Sequence, residues 1–578
     1  MSARPVAVAA GTSSIEACSG GNMRSIRGGF GWARGLLLAL ILVGAPDLRA
    51  QPADGAGRIQ FREASEEWGL AFRHHHGGTG HRYMVETMVG GVVLLDFDND
   101  GDLDVLYVDG GPTPDYEGES PRPELFRNDG EGHFVPFTDR SGLSFDAYGC
   151  GGAAADIDND GDLDLYITAF GQNALFLNNG DGTWKLAGPE HGLDERLWSA
   201  SAAFADSDHD GDLDLYLANY VDFAWDNHRY CGEQARDLRG YCHPGVYRGL
   251  PDRFYRNDGA GRFTDATAAS GLAGKAEAGL GVIFSDLDND GWSDLYVAND
   301  ADPNFLFRNR GDGTFEDISL LSGTAYNRDG RPEAGMGVDT GDVDGNGFLD
   351  IVVTNFEFET NGLYQNNGGG LFVDGRYSAG IAETSIQKLA FGVTFADFDQ
   401  DKDLDLFVAN GHILDNASEF NEISSYEQAN QVYENLGDGR FHELAETGVD
   451  IVRASRGLAT GDLDNDGDQD VVILNSDDWS EVYENVSVGG AWLLVDLEGD
   501  GSNHFGVGSR LIVETATDRL QREARTASSY LSQGALSAHF GLHEAATVDS
   551  LEVRWPGGGR QRFKRLPTNH RIRVSEGS

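Results

Sequence analysis

The sequence predicts an all-β protein, a seven-bladed β-propeller followed by a small C-terminal β domain. Three observations predict it. An aspartate-rich run of the form D-x-D-x-D-G-x-x-D recurs seven times, beginning at Asp96, Asp156, Asp206, Asp286, Asp342, Asp397 and Asp462. Each run lies between short apolar, β-prone stretches such as Gly91 to Leu95 and Val105-Leu106-Tyr107-Val108. Neither flank has a 3.6-residue period, so the layout is strand, polar loop, strand. A second motif follows each run: Leu125-Phe126-Arg127-Asn128-Asp129-Gly130 in the first unit, with counterparts at Asn178, Asn257, Asn309, Asn366, Asn435 and Asn485. Its Asn-Gly and Asp-Gly pairs suit tight hairpin turns, and an aromatic such as Phe134, Trp184 or Phe263 follows most of them. Each unit thus offers about four short antiparallel strands, which is the content of a propeller blade.

The blades account for residues 51–489. The last unit stops at Tyr483-Glu484-Asn485 without the aromatic strand that ends the others. Gly57 to Leu70 resembles the segment Gly261 to Leu272 and is expected to supply that strand, closing the ring between the two ends of the propeller chain and removing two exposed sheet edges. An open solenoid of the same units is the alternative. The longest gap between runs holds an insertion from Tyr220 to Arg253 with Cys231 and Cys242 inside it. Their spacing suits a disulfide in an oxidising compartment, with two unpaired thiols as the alternative. Cys150 reads as a small core residue.

Residues 1–50 read as an export signal, or 23–50 if translation starts at Met23. Arg24, Arg27 and Arg34 precede an apolar run from Gly35 to Val43, and Ala50 suits the last position before cleavage. That run is too short to span a bilayer, so the expected location is secreted or periplasmic with no membrane span.

The aspartate runs are expected to be metal sites. Carboxylates at positions 1, 3 and 5 share one side of a tight loop, position 6 allows a sharp turn, and position 9 returns another carboxylate. Hard oxygen ligands at this density suit Ca²⁺, in up to seven sites. Zn²⁺ would want His or Cys. The expected ligands are Asp96, Asp98, Asp100 and Asp104; Asp156, Asp158, Asp160 and Asp164; Asp206, Asp208, Asp210 and Asp214; Asp286, Asp288, Asp290 and Asp294; Asp342, Asp344, Asn346 and Asp350; Asp397, Asp399, Asp401 and Asp405; and Asp462, Asp464, Asp466 and Asp470. Solvated turns without an ion are the alternative, disfavoured because like charges on a tight loop repel unless a cation compensates them. The sixth loop carries Lys402 where the others carry Gly and is expected to bind most weakly.

Composition narrows the function. The chain of 578 residues carries 43 Lys+Arg against 95 Asp+Glu, a net charge of −52. No basic patch offsets it, so a nucleic-acid partner is excluded. Aromatics at 10% argue against disorder. The densest group of candidate catalytic residues lies before the first run, in His74-His75-His76 through His81 and Glu86. His74, His76, His81 and Glu86 could form a transition-metal site or a general acid/base pair; a polar connector is the other reading.

Residues 490–578 read as β from Trp492 to Val495, Leu511 to Val513 and Val548 to Trp555. Within them Asn503 and Arg510 read as a turn-capping Asn and a paired Arg, with ligand binding as the alternative. The Asp runs, with Gly90-Gly91, Gly151-Gly152 and Gly392 before them, resemble the FG-GAP or VCBS repeats of integrin-α-like propellers. Ser502 to Arg510, Tyr530-Leu531-Ser532-Gln533, His539-Phe540-Gly541-Leu542 and Val553 to Gly557 resemble the ASPIC/UnbV domain, with His504 and Ser509 standing where Arg and Ala are expected. Together they resemble the bacterial relatives of cartilage acidic protein 1. The resemblance implies a secreted calcium-binding propeller serving adhesion or a matrix, and fixes no activity. Three classes follow: a calcium-binding module for a protein or glycan partner, an enzyme with its site at the propeller mouth, and a structural partner in the envelope.

Overall fold

The computed structural model describes residues 59–577 except 131, 501 and 502. The expected export signal and Cys18 lie outside the described residues.

Seven four-stranded antiparallel sheets follow one another along the chain. In blade 1, Val92–Leu95, Asp104–Tyr107, Glu124–Asn128 and Phe134–Pro136 are hydrogen-bonded in that order. Blades 2 to 6 repeat this with first strands at Tyr148–Ala155, Ser199–Ala205, Gly279–Ser285, Val338–Gly341 and Ala390–Ala396. Blade 7 consists of Ser455–Gly461, Asp470–Asn475 and Glu481–Asn485, and its fourth strand is Phe61–Glu63 from the start of the described chain. Phe61 pairs with Asn485 and Glu63 with Tyr483, so the ring closes as expected. Phe61 packs edge-on to Phe398 at 5.2 Å, giving the returning strand an apolar anchor on blade 6.

The first strands are buried at almost every position, and those of blades 2 and 3 are rich in Gly and Ala; Tyr148–Ala155 is buried at all eight positions. Such small residues leave room at the ring axis, and the C-terminal module fills it. That module comprises a three-stranded sheet, Ala538–His543, Ala491–Glu498 and His570–Ser575, and a four-stranded sheet, Arg519–Glu523, Arg510–Glu514, Thr547–Arg554 and Arg560–Pro567. Between Glu523 and Ala538 the chain leaves the module and enters the propeller axis. Thr526 Oγ1 bonds Phe204 of blade 3, Ser529 exchanges backbone bonds with Val338 of blade 5, and Ser529 Oγ accepts from Val393 N of blade 6. Gln533 pairs with Val92 and Leu94 of blade 1 through its backbone and with Ala154 of blade 2 through its side chain. Ala535 N donates to Thr460 of blade 7, and Ala527 packs with Val282 and Phe284 of blade 4. One plug therefore touches all seven blades. A Cβ on Gly91 or Gly151 would stand 2.1 or 2.4 Å from the Leu531 carbonyl oxygen, which explains why glycine precedes those Asp runs.

Candidate functional site

Each Asp run joins the first strand of its blade to the second, so all seven open on one face of the ring. The loop is held by its own carboxylates. Asp96 accepts the amides of Asp100 and Gly101 at 3.1 and 2.9 Å. Asp104 accepts Phe97 N at 3.1 Å and, from the third strand, Asn128 N at 2.8 Å. Position 6 has φ between 89° and 98° in all seven loops, Lys402 included. Position 4 is also left-handed, with φ between 56° and 69° at Asn99, Asn159, His209, Asn289, Gly345, Gln400 and Asn465. Sequence reading found the first requirement and missed the second, although Asn at four of those positions and Gly at a fifth were its signal.

These turns bring carboxylates together. Oxygens of Asp96, Asp98 and Asp104 lie within 4.8 Å of one another, as do those of Asp156, Asp158 and Asp164, of Asp206, Asp208 and Asp210, of Asp286, Asp288 and Asp290, and of Asp342, Asp344 and Asp350. Burial is the main force raising their pKa values, and neighbouring carboxylates add to it: Asp96 and Asp156 reach about 6, Asp206 and Asp286 about 7, and Asp164 and Asp350 about 8. One oxygen each of Asp98, Asp208, Asp342, Asp399 and Asp462 is buried with no hydrogen-bond partner among the described residues. Buried carboxylate oxygens that lack donors and converge on like charges fit a hard cation of the Ca²⁺ type.

The loops are tied into a ring. The third-strand Asn of each blade donates through Nδ2 to the position-2 carbonyl of the preceding blade's loop: Asn128 to Leu463, Asn178 to Phe97, Asn257 to Ile157, Asn309 to Ser207, Asn366 to Leu287, Asn435 to Val343 and Asn485 to Phe398, at 2.7 to 2.9 Å. The sequence marked these asparagines only as members of turn motifs. Position 4 adds further links. Asn99 and Asn159 reach Gly161 and Gly211 carbonyls, Asn465 reaches Asp102 across the seam between blades 7 and 1, and His209 stacks on Trp292 at 3.6 Å.

The C-terminal module sits on this face. Arg510 Nη2 donates to the Asp286 carbonyl at 2.6 Å, Gln521 Nε2 to Asp342 Oδ2 at 3.1 Å, and Arg571 Nη1 to the Gly101 carbonyl at 2.6 Å. Asn503 caps its own turn, its Oδ1 accepting Val507 N at 2.6 Å. Arg510 and Asn503 are thus a paired Arg and a capping Asn.

The His-rich segment lies on the opposite face, beside the insertion that the Cys231–Cys242 disulfide closes. A cavity of about 360 Å³ there is lined by His76, Glu86, Arg82, Tyr241, Arg456 and Asp477 among others. Glu86 accepts Tyr83 N at 3.1 Å and the Tyr241 hydroxyl at 2.6 Å, and burial holds its carboxyl above the ordinary value. His76 Nδ1 accepts Gly78 N at 3.0 Å while Nε2 stands 3.9 Å from Asp477 Oδ2. His74 is fully buried, its Nδ1 accepts Asp477 N at 3.1 Å, and burial pushes its pKa down to about 4. A neutral ring that accepts at Nδ1 carries its proton on Nε2, so buried His74 presents a donor there. His81 is exposed, and its carbonyl accepts from His228 Nε2 at 3.0 Å. Of the four sequence candidates, only His76 and Glu86 share the cavity. Tyr241 and Asp477, which complete it, come from the insertion and from blade 7 and had no sequence signal. Cys150 is buried in the apolar cluster below, as expected.

Residues 96–167, 156–217, 246–297, 286–353, 342–408 and 422–473 match the family described as FG-GAP-like repeat, and residues 499–578 match that described as ASPIC and UnbV. The chain is 28% identical over 295 residues to cartilage acidic protein 1 of Xenopus tropicalis, covering 49% of this chain and 42% of that protein. It is 28% identical over 303 residues to cartilage acidic protein 1 of Homo sapiens, covering 51% and 43%. The chain thus spans less than half the length of the curated relatives it matches. Among solved structures, an Agrocybe aegerita lectin described as recognising non-reducing terminal N-acetylglucosamine is similar at 16% identity and a TM-score of 0.37, covering 66% of this chain and 88% of that one.

Proposed function

The chain belongs to the FG-GAP-like repeat family and carries an ASPIC and UnbV module, and from that premise we propose that it is a secreted or periplasmic binding and adhesion module held rigid by calcium. The observation that carries this reading is the set of buried, unpartnered carboxylate oxygens in five of the seven loops. An uncompensated cluster of that kind destabilises the fold, and a divalent cation supplies the missing charge. The proposed ligands are the seven quartets beginning at Asp96, Asp156, Asp206, Asp286, Asp342, Asp397 and Asp462. Rigidity suits a scaffold that presents its other face to a protein or glycan partner, with the Tyr220–Arg253 insertion as the natural contact. The Cys231–Cys242 disulfide favours an oxidising compartment. No helix among the described residues is long and apolar enough to cross a membrane.

Metal analysis of the purified protein tests the reading. Several equivalents of calcium per chain and a melting temperature that drops by more than about 10 °C in EGTA are expected, since an ion bound only by the folded state stabilises it by mass action. An unchanged melting curve in EGTA would remove the calcium role. A second reading, an enzyme at the mouth, is favoured by one observation: the raised Glu86 carboxyl, the Tyr241 hydroxyl and His76 converge on the same cavity. Glu86→Gln and His76→Ala variants that fold normally but lose turnover in a hydrolase panel would support it; a wild-type protein inert across that panel would not.

A further inference from the structure

The residue before each third-strand Asn lies beside the Asp loop, and it differs from blade to blade: Arg127, Leu177, Arg256, Arg308, Gln365, Glu434 and Glu484. The three arginines behave differently. Arg308 turns outward to Glu316 at 2.6 Å. Arg127 pairs with Asp98 and Asp100 at 2.6 and 2.9 Å from a side chain that is 40% exposed. Arg256 is half as exposed, at 20%, and is locked. Its Nη1 pairs with Asp208 Oδ2 at 2.9 Å, donates to Ser207 Oγ at 2.5 Å and contacts Asp214 Oδ2. Its Nη2 donates to the Gly313 carbonyl at 2.9 Å, and its guanidinium lies 5.0 Å from the Phe254 ring.

Loop 3 is built to admit this guanidinium. Position 2 is apolar in six loops, at Phe97, Ile157, Leu287, Val343, Phe398 and Leu463, and it is Ser207 in the third. In those six the position-9 carboxylate spends Oδ2 on the position-2 amide. In loop 3 the same oxygen, on Asp214, accepts the Ser207 hydroxyl and Arg256. Two of the four carboxylates of this loop are therefore bridged by a fixed positive charge. One oxygen, Asp208 Oδ1, stays buried and unpartnered, so the loop can still accept an ion, but beside a resident cation.

We propose that Arg256 is a built-in cation that makes the third loop independent of calcium for its folding and the last of the seven to fill. This rests on the calcium reading above. A guanidinium held within a few ångströms of a divalent ion repels it, and screening is weak where the side chain is mostly buried. The expected penalty at this loop is about tenfold or more in affinity.

The test is a calcium titration of the whole protein, read by native mass spectrometry for the count and by amide hydrogen exchange of residues 207–213 for the place. In EGTA the third loop should keep its protection while the other loops lose theirs. On titration its further protection should come last. Arg256→Leu, which puts here the side chain that blade 2 carries at Leu177, should make the third loop sensitive to EGTA and bring its filling level with the rest. Arg256→Gln, matching Gln365 of blade 5, should do the same and serves if the leucine variant misfolds. Arg308→Leu should change neither readout. If the third loop fills with the others and both Arg256 variants titrate like the wild type, the inference falls and the calcium reading stands. If no loop takes up calcium, both fall.

Discussion

Ser529 and Val338 exchange two backbone hydrogen bonds, of 2.7 and 3.0 Å, at the axis of the propeller. Ser529 belongs to the C-terminal module and Val338 to the first strand of blade 5. Contacts of the plug with all seven blades, hydrogen bonds on six and the packing of Ala527 on the fourth, make the module part of the propeller core rather than an appendage.

The first prediction follows from Gln533. Its side chain satisfies both the N–H and the C=O of Ala154, at 2.9 and 3.2 Å, in a fully buried setting. Gln533→Ala leaves both groups unpaired and should cost ~2–4 kcal/mol in denaturant unfolding. A change within error would show that the plug is not essential to the core.

The second concerns the seam where the two ends of the propeller chain meet. Asn128 Nδ2 donates to Leu463 O at 2.7 Å and to Leu103 O at 3.0 Å, joining blade 1 to blade 7. Asn128→Ala should cost ~1–3 kcal/mol and speed amide exchange along Phe61–Glu63 and Glu481–Asn485 before the other blades. Uniform exchange across all seven blades would argue against a weak seam.

The third concerns pH. Burial first, then neighbouring carboxylates, raises Asp206 to about 7 and Asp164 and Asp350 to about 8 in the ion-free fold. A carboxyl raised above its unfolded value binds more protons folded than unfolded, so the stability it contributes is present at low pH and is lost as pH rises through the folded value. In EGTA the melting temperature should therefore fall as the pH rises from about 4 to about 8. With millimolar calcium the ion takes the proton's place, and the fall should vanish or reverse. A pH-independent melting temperature in EGTA would show that these carboxyls are not what destabilises the ion-free fold.

The fourth concerns Lys402. It adopts φ of 96° where six glycines do, and its ammonium pairs with Asp518 of the C-terminal module at 3.1 Å. The charge is thus drawn off the sixth loop, so the site expected from its Lys to be the weakest ranks ahead of the third under the inference above, and what remains is a strain cost of ~1–2 kcal/mol. Lys402→Gly should tighten the sixth site by about tenfold, while Asp518→Ala, which releases the ammonium, should weaken it. Identical titrations for both variants would mean that neither strain nor charge at this position sets affinity.

The sequence by itself determined the blade count, the closing strand at Phe61, the Asp quartets and the disulfide, because each is written in local chemistry. Turn residues, strand patterning and ligand spacing repeat with the blade and can be read within one unit. What only the tertiary structure decided lies between units. The seven asparagine staples look like turn residues until the preceding blade's loop is beside them. Gly91 and Gly151 look like family signatures until the Leu531 carbonyl is seen where a Cβ would stand. Arg256 and Arg308 share a strand position, yet the first pairs with Asp208 and Asp214 of its loop, with Ser207 beside them, and the second pairs with Glu316. His74, His76, His81 and Glu86 are neighbours in the chain, but the turn at Gly77 and the approach of blade 7 through Asp477 send the histidines apart and leave only His76 beside Glu86. Periodicity records what a chain does with its near neighbours; closing the ring brings together residues hundreds of positions apart, and no local pattern encodes which of them will meet.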